Sequence, residues 1–197
     1  MSVPKAVSST PAGRINLIEA ALSCMADEGQ SGTTVRAVTE RAGVTPALVK
    51  HHFGNKEGLL VEAYRHLNRM ALDRIEGATE LHPSNLESAL RGAIKALFPE
   101  EMSDVSQMRV LVSFWGLVQN NPRFAAVQAE TNAEMREMLV KLLSEHAPET
   151  EGITEIAEGI IALTDGLWLE CCMNPDRMSP ARAMQIAIDF SRRGLND

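Results

Sequence analysis

The chain has 197 residues, 45% of them apolar, which is enough for one or two domains with a sizeable core. Alternating β-branched runs and Asn-Gly hairpin turns are absent, which argues against a sheet protein and for an all-α class; no uncharged apolar stretch is long enough for a transmembrane helix. Net charge is −7, yet residues 1–66 hold seven Lys and Arg against six Asp and Glu, so the acidity belongs to the later part. A locally neutral-to-basic segment can still approach phosphate, because screening acts over about 8–10 Å.

Residues 1–13, MSVPKAVSSTPAG, lack the apolar core of a signal peptide. Their Ser, Pro and small residues predict a disordered arm, and a cytoplasmic protein is expected. A first helix is predicted from Arg14 to about Glu28, with Ile15, Ile18, Leu22 and Met25 as its stripe and Gly29 and Gly32 as breakers. Cys24 falls on its apolar side. Together with the adjacent Cys171 and Cys172 it makes an odd number, which reads as buried thiols and not a disulfide framework.

Residues 34–53 read as two short helices around a tight turn. Thr33 or Thr34 can cap the first, and Val35, Val38 and Ala42 share one face. Gly43 sits where a helix ends in a left-handed residue. Thr45 is a cap for the second helix, and Pro46 suits its first position. Val44 and Val49 have the spacing of a hydrophobic staple. Val49 and Phe53 then point inward, leaving Thr45, Pro46, Ala47, Lys50, His51 and His52 outward. This is a helix-turn-helix, whose second helix fits the DNA major groove. His51 and His52 make no metal pair, since adjacent helix positions diverge by about 100°. No metal and no cofactor is expected.

Gly54 turns the chain, and Asn55 caps a long helix to about Glu80, with Leu60, Ala63, Leu67, Met70 and Ile75 inward. At 1.5 Å per residue it spans roughly 37 Å, enough to act as a lever. Lys56 in its first turn opposes the helix dipole, which suggests a phosphate partner. Ser84 and Glu87 form a capping box for a helix ending at Pro99. Residues 103–119 are apolar nearly all round from Val110 to Val118 and should be buried. Another long helix starts at Asn121-Pro122 and stops at Pro148. Residues 153–173 and a last helix from Ser179-Pro180 carry two apolar faces each, one for the core and one for a partner subunit. The total is about nine to ten helices.

The motifs Thr33-Thr34, Ala42-Gly43-Val44-Thr45, His52-Phe53 and Asn55-Lys56-Glu57 before Leu59-Leu60 resemble the TetR family of one-component bacterial transcription regulators. The resemblance implies a three-helix DNA-binding domain over residues 14–66 and a helical effector-binding and dimerisation domain over 67–197. It implies a homodimer, most often a repressor, that binds a palindromic double-stranded DNA operator and is released by a small-molecule effector. In the family the last two helices pair with their symmetry mates, so Ile160, Leu163, Leu167, Cys171, Met184, Ala187 and Ile188 are the expected dimer interface. Arg36 aligns with a base-contacting residue, and arginine can fork onto guanine O6 and N7. Pro46 and Ala47 can touch a thymine methyl. Lys50 stands where the family commonly has a tyrosine on phosphate. His51 could reach a base or phosphate, and His52, Thr34, Thr45 and Lys56 a phosphate.

Two further stretches, SFWGLVQNNPRF and ALTDGLWLE, resemble the branch of choline-responsive repressors of glycine-betaine synthesis. That implies an effector such as choline, a quaternary ammonium compound, which prefers aromatic faces with a carboxylate near by. The candidate effector residues are Phe98, Met102, Met108, Phe114, Trp115, Gln119, Asp165 and Trp168. Two tryptophans at helical spacing are more often core. No nucleophile elbow, glycine-rich phosphate loop or metal-spaced Cys/His set is present, so an enzyme is not expected. The alternative class is a helical protein-interaction adaptor that does not bind DNA.

Overall fold

Prolines and glycines set many of the helix boundaries. The computed structural model describes residues 11–80, 85–98 and 105–194, and these hold helices and no strand. The helices are α1 (Pro11–Gly32), α2 (Val35–Ala42), α3 (Pro46–Phe53), α4 (Lys56–Glu80), α5 (Leu86–Leu97), α6 (Val105–Val118), α7 (Pro122–His146), α8 (Ile153–Met173) and α9 (Pro180–Gly194). α1, α3, α7 and α9 all open on proline, where the missing amide costs no helical bond. α2 ends at Gly43 in the left-handed region (φ 66°). No described helix is long and apolar enough to cross a membrane.

Two boundaries differ from expectation. α1 starts at Pro11, so residues 11–13 are helical and not part of an arm; residues 1–10 lie outside the described ones. Gly29 breaks the helix as expected, with non-helical dihedrals (φ 69°, ψ −174°), and a short helical piece resumes to Gly32; the Gly29 carbonyl accepts from both the amide and the hydroxyl of Thr33. α5 is capped by Asn85, whose side chain accepts from the Ser88 amide at 2.9 Å, and not by Ser84, which lies outside the described residues. Asparagine caps as well as serine, and it stands one place nearer the first apolar residue.

The chain forms two compact units. The first comprises residues 1–67 and 109–127, the second 68–108 and 128–197. A single cut near residue 66 therefore does not separate them. Residues 109–127 belong to the first unit because their side chains complete its core. Tyr64 stacks on Phe114, with centroids 4.7 Å apart and planes 21° apart, and Phe124 lies 6.2 and 6.1 Å from those two rings. Leu17, Ile18, Met25, Val38, Val49 and Leu59 surround them, all buried. α6 is less enclosed than its composition suggests. Val110 and Phe114 are buried, Trp115 and Leu117 are half-buried, and Gly116 is exposed.

In the second unit α9 packs against α8 and α5. Ile75, Ala89, Ala93 and Leu142 form one apolar cluster, with Met135 and Met138 against it. Phe98 lies parallel to Trp168 at 5.2 Å. Asn68 donates to the Thr131 hydroxyl at 3.0 Å, a buried polar tie between α4 and α7.

Candidate nucleic-acid interface

The turn between α2 and α3 is fixed from several sides. Thr34 is extended, and its hydroxyl oxygen accepts from the Ala37 amide at 3.1 Å, which caps α2. The amides of Gly43 and Val44 bond back to Glu40 and Thr39, closing the helix end. Asn16 of α1 donates to the Ala42 carbonyl at 3.0 Å. Arg41 ties α2 to α1 through Ser23 (2.7 Å), Asp27 (2.5 Å) and Glu28 (3.3 Å). Arg14 pairs with Glu62 of α4 and lies 5.4 Å over the Phe53 ring at the end of α3. Glu57 and Arg123 join the starts of α4 and α7 at 3.1 Å.

α3 buries Val49 completely and half-buries Leu48 and Phe53, with Val44 packed beside them. Its other side presents Thr45, Pro46, Ala47, Lys50 and His51 together to solvent. Thr45 has the extended N-cap conformation but makes no side-chain capping bond, contrary to expectation. Arg36 stands exposed in the first turn of α2, its Nε bonded to Glu40 at 2.7 Å. Lys56 is half-buried and donates to the Gln30 carbonyl at 3.3 Å. His52 departs from its expected place. It is half-buried, its Nε2 is enclosed with no partner among the described residues, and its ring meets the edge of His51 at 4.9 Å. Burial, then His51 and Arg14, lower its pKa from the usual value, which favours the neutral ring. The reason is angular: His52 falls between the inward Phe53 and the outward His51.

The effector candidates fall in both units. Phe114 is fully buried in the first unit, stacked on Tyr64, and is core. Trp115 is half-buried against that same core, and Gln119 is exposed. Phe98, Asp165 and Trp168 belong to the second unit, where Phe98 and Trp168 are buried against each other. Met102 and the side chain of Met108 lie outside the described residues. Asp165 has no hydrogen-bond or ion-pair partner among the described residues, and burial raises its carboxyl pKa to about 6. An open groove of ≈ 230 Å³ lies elsewhere, lined by Glu76, Glu80, Met138, Lys141 and Glu145 among others, and contains none of the candidates.

The expected interface residues also separate. Ile160, Leu167, Cys171, Ala187 and Ile188 are buried within their own chain, while Leu163 and Met184 are half-buried. The first five therefore cannot supply an open face. The face left open on α8 is Ala162, Gly166, Leu169 and Met173, at helical spacing, and α9 adds Phe190, 57% exposed. Helical periodicity held this stripe, but its small members carry little hydrophobic signal.

Comparison with known proteins agrees with this architecture. Residues 17–63 match the model of bacterial regulatory proteins of the tetR family, and residues 86–195 match that of the BetI-type transcriptional repressor C-terminal domain. The HTH-type transcriptional regulator BetI of Burkholderia cenocepacia is 29% identical over 180 residues, 90% of this chain and 91% of the relative. A transcriptional regulator from Pseudomonas aeruginosa PAO1, 31% identical, superposes with a TM-score of 0.80 over 92% of this chain and 89% of its own. A regulator from Saccharomonospora viridis, solved in complex with choline, is 20% identical and has the same fold, with a TM-score of 0.81 over 93% of this chain and 97% of its own. With its capped α2–α3 reading head and a matched body covering more than half its length, the chain belongs to the TetR family of helix-turn-helix transcriptional regulators and carries a BetI-type C-terminal domain.

Proposed function

We propose that the protein is a cytoplasmic repressor that holds a near-palindromic operator as a homodimer and releases it when a small cation binds the second unit. The observation that carries the DNA-reading part is the exposed row Pro46, Ala47, Lys50 and His51 on a helix clamped from behind, with Arg36 exposed on α2. Lys50, Lys56, Thr34 and Thr45 position the head on phosphates, and Arg36 and His51 address bases. Two heads on one duplex read half-sites about 34–36 Å apart, or a multiple of that. The open stripe of Ala162, Gly166, Leu169 and Met173 is the dimer face, and Ala and Gly there let two helices approach closely.

For the effector, the reading is a quaternary ammonium compound such as choline, held near Asp165 and the Phe98–Trp168 pair. It is supported by the unpaired carboxylate of Asp165, by the BetI-type match over 86–195 and by the choline complex of the Saccharomonospora viridis regulator. An ion-paired cation would supply the partner that carboxylate lacks. The test selects duplexes from a random-sequence pool with purified protein, then adds choline or betaine aldehyde to the complex in a gel shift. Selection of a two-fold repeated sequence and its release by either compound is expected. Failure to enrich any sequence sinks the operator reading, and retention of the complex at saturating compound sinks the effector reading alone.

A further inference from the structure

Building on the proposed base-reading role of Arg36, we propose that Glu40 is a positioning residue that sets which edge of the Arg36 guanidinium faces DNA, favouring base reading over phosphate binding.

A guanidinium offers five N–H donors and two edges that can fork onto an acceptor pair: the Nη1/Nη2 end and the Nε/Nη side. In Arg36 the side edge is occupied, because Nε donates to Glu40 Oε1 at 2.7 Å. No acceptor holds the Nη1/Nη2 end among the described residues. Arg41, five residues on, is the contrast: its Nη atoms are taken by Ser23, Asp27 and Glu28, so that end is closed. The Arg36 and Glu40 side chains are 86% and 64% exposed, so packing does little to choose the arginine rotamer. The one directional restraint is the carboxylate one turn later on the same face.

An unrestrained arginine beside a duplex meets phosphate oxygens before base edges, since the phosphates line both rims of the groove. Glu40 opposes that in two ways. It occupies Nε, leaving the end-on fork that matches guanine O6 and N7. Its negative charge also repels the phosphates, so the pair gives up some affinity for discrimination.

The experiment uses the full chain and the duplex selected by the wild-type protein, with every base pair changed in turn. Binding is read by fluorescence anisotropy across a salt series for wild type, Arg36→Ala, Glu40→Ala and Glu40→Gln. Wild type should lose about 10–100-fold when one base pair is changed, and Arg36→Ala should be indifferent to that change. Glu40→Ala should bind the parent duplex as tightly as wild type or tighter, yet discriminate at that base pair by less than about threefold. Its plot of log affinity against log salt should steepen by about 0.9, the signature of one added phosphate contact. Glu40→Gln still accepts from Nε and should keep part of the discrimination. Full discrimination by Glu40→Ala, at the base pair that Arg36→Ala flattens, overturns the positioning role while sparing the role of Arg36. If Arg36→Ala flattens no base pair, both fall together.

Discussion

Tyr64 and Phe114, far apart in sequence, stack at 4.7 Å with no side-chain exposure, and that contact joins α6 to the DNA-reading unit. Truncating either ring removes the aromatic pair and leaves a cavity that its tightly packed neighbours cannot fill. Phe114→Ala should cost about 3–5 kcal/mol in denaturant unfolding. Phe114→Leu, which restores most of the volume, should cost clearly less. An unchanged unfolding midpoint with an altered effector response would mark Phe114 as a pocket residue instead of core.

Asp165 makes stability depend on pH in a defined direction. Burial raises its carboxyl pKa to about 6 from the ordinary 3.8, so the folded chain holds the proton more tightly than the unfolded chain. The associated stability is therefore fully present below about pH 3.8 and is lost as pH rises through about 6. Asp165→Asn removes that loss. Thermal melts should show the variant more stable than wild type by about 1–3 kcal/mol at pH 7.5, with the gap closing toward pH 4. A less stable variant at pH 7.5 would mean that the carboxylate has a favourable partner. On the effector proposal, choline binding should weaken as pH falls through that same range.

The proposed dimer face yields a contrast between exposed and buried residues. Leu169→Asp and Phe190→Arg place charges on an open apolar surface and should convert a two-copy species to a single copy in sedimentation, with helix content unchanged. Ile160→Ala, inside the chain, should instead lower stability by about 2–5 kcal/mol and leave the association of the folded protein largely intact. A monomeric wild type would remove the homodimer, and unaltered mass for both surface variants would place the assembly elsewhere.

Features governed by neighbours in sequence were legible from the letters alone. Gly43 at the end of α2, Pro46 at the start of α3 and the exposed row through Lys50 and His51 follow from local conformational rules. The return of residues 109–127 to the first unit was not legible, because an all-round apolar helix announces burial without naming what buries it. His52 was misplaced for a related reason: it sits at the margin of a face, where a 100° step does not decide between solvent and neighbour. Thr45 stands outward at the N-cap of α3 as read, and lacks only the side-chain capping bond. On α8 the open stripe of Ala162, Gly166, Leu169 and Met173 was not legible, because its small members carry little apolar signal beside the more strongly apolar sides that are buried.

Because its aromatic core is closed by residues 109–127, the reading unit is not a portable cassette. A graft of residues 1–67 onto a foreign body would arrive without Phe114 and Phe124, leaving Tyr64 and Leu60 bare and inviting aggregation. Engineers building chimaeric sensors from this chain would need to exchange residues 109–127 as well, and to splice inside α4, α6 and α7, where the chain passes from one unit to the other.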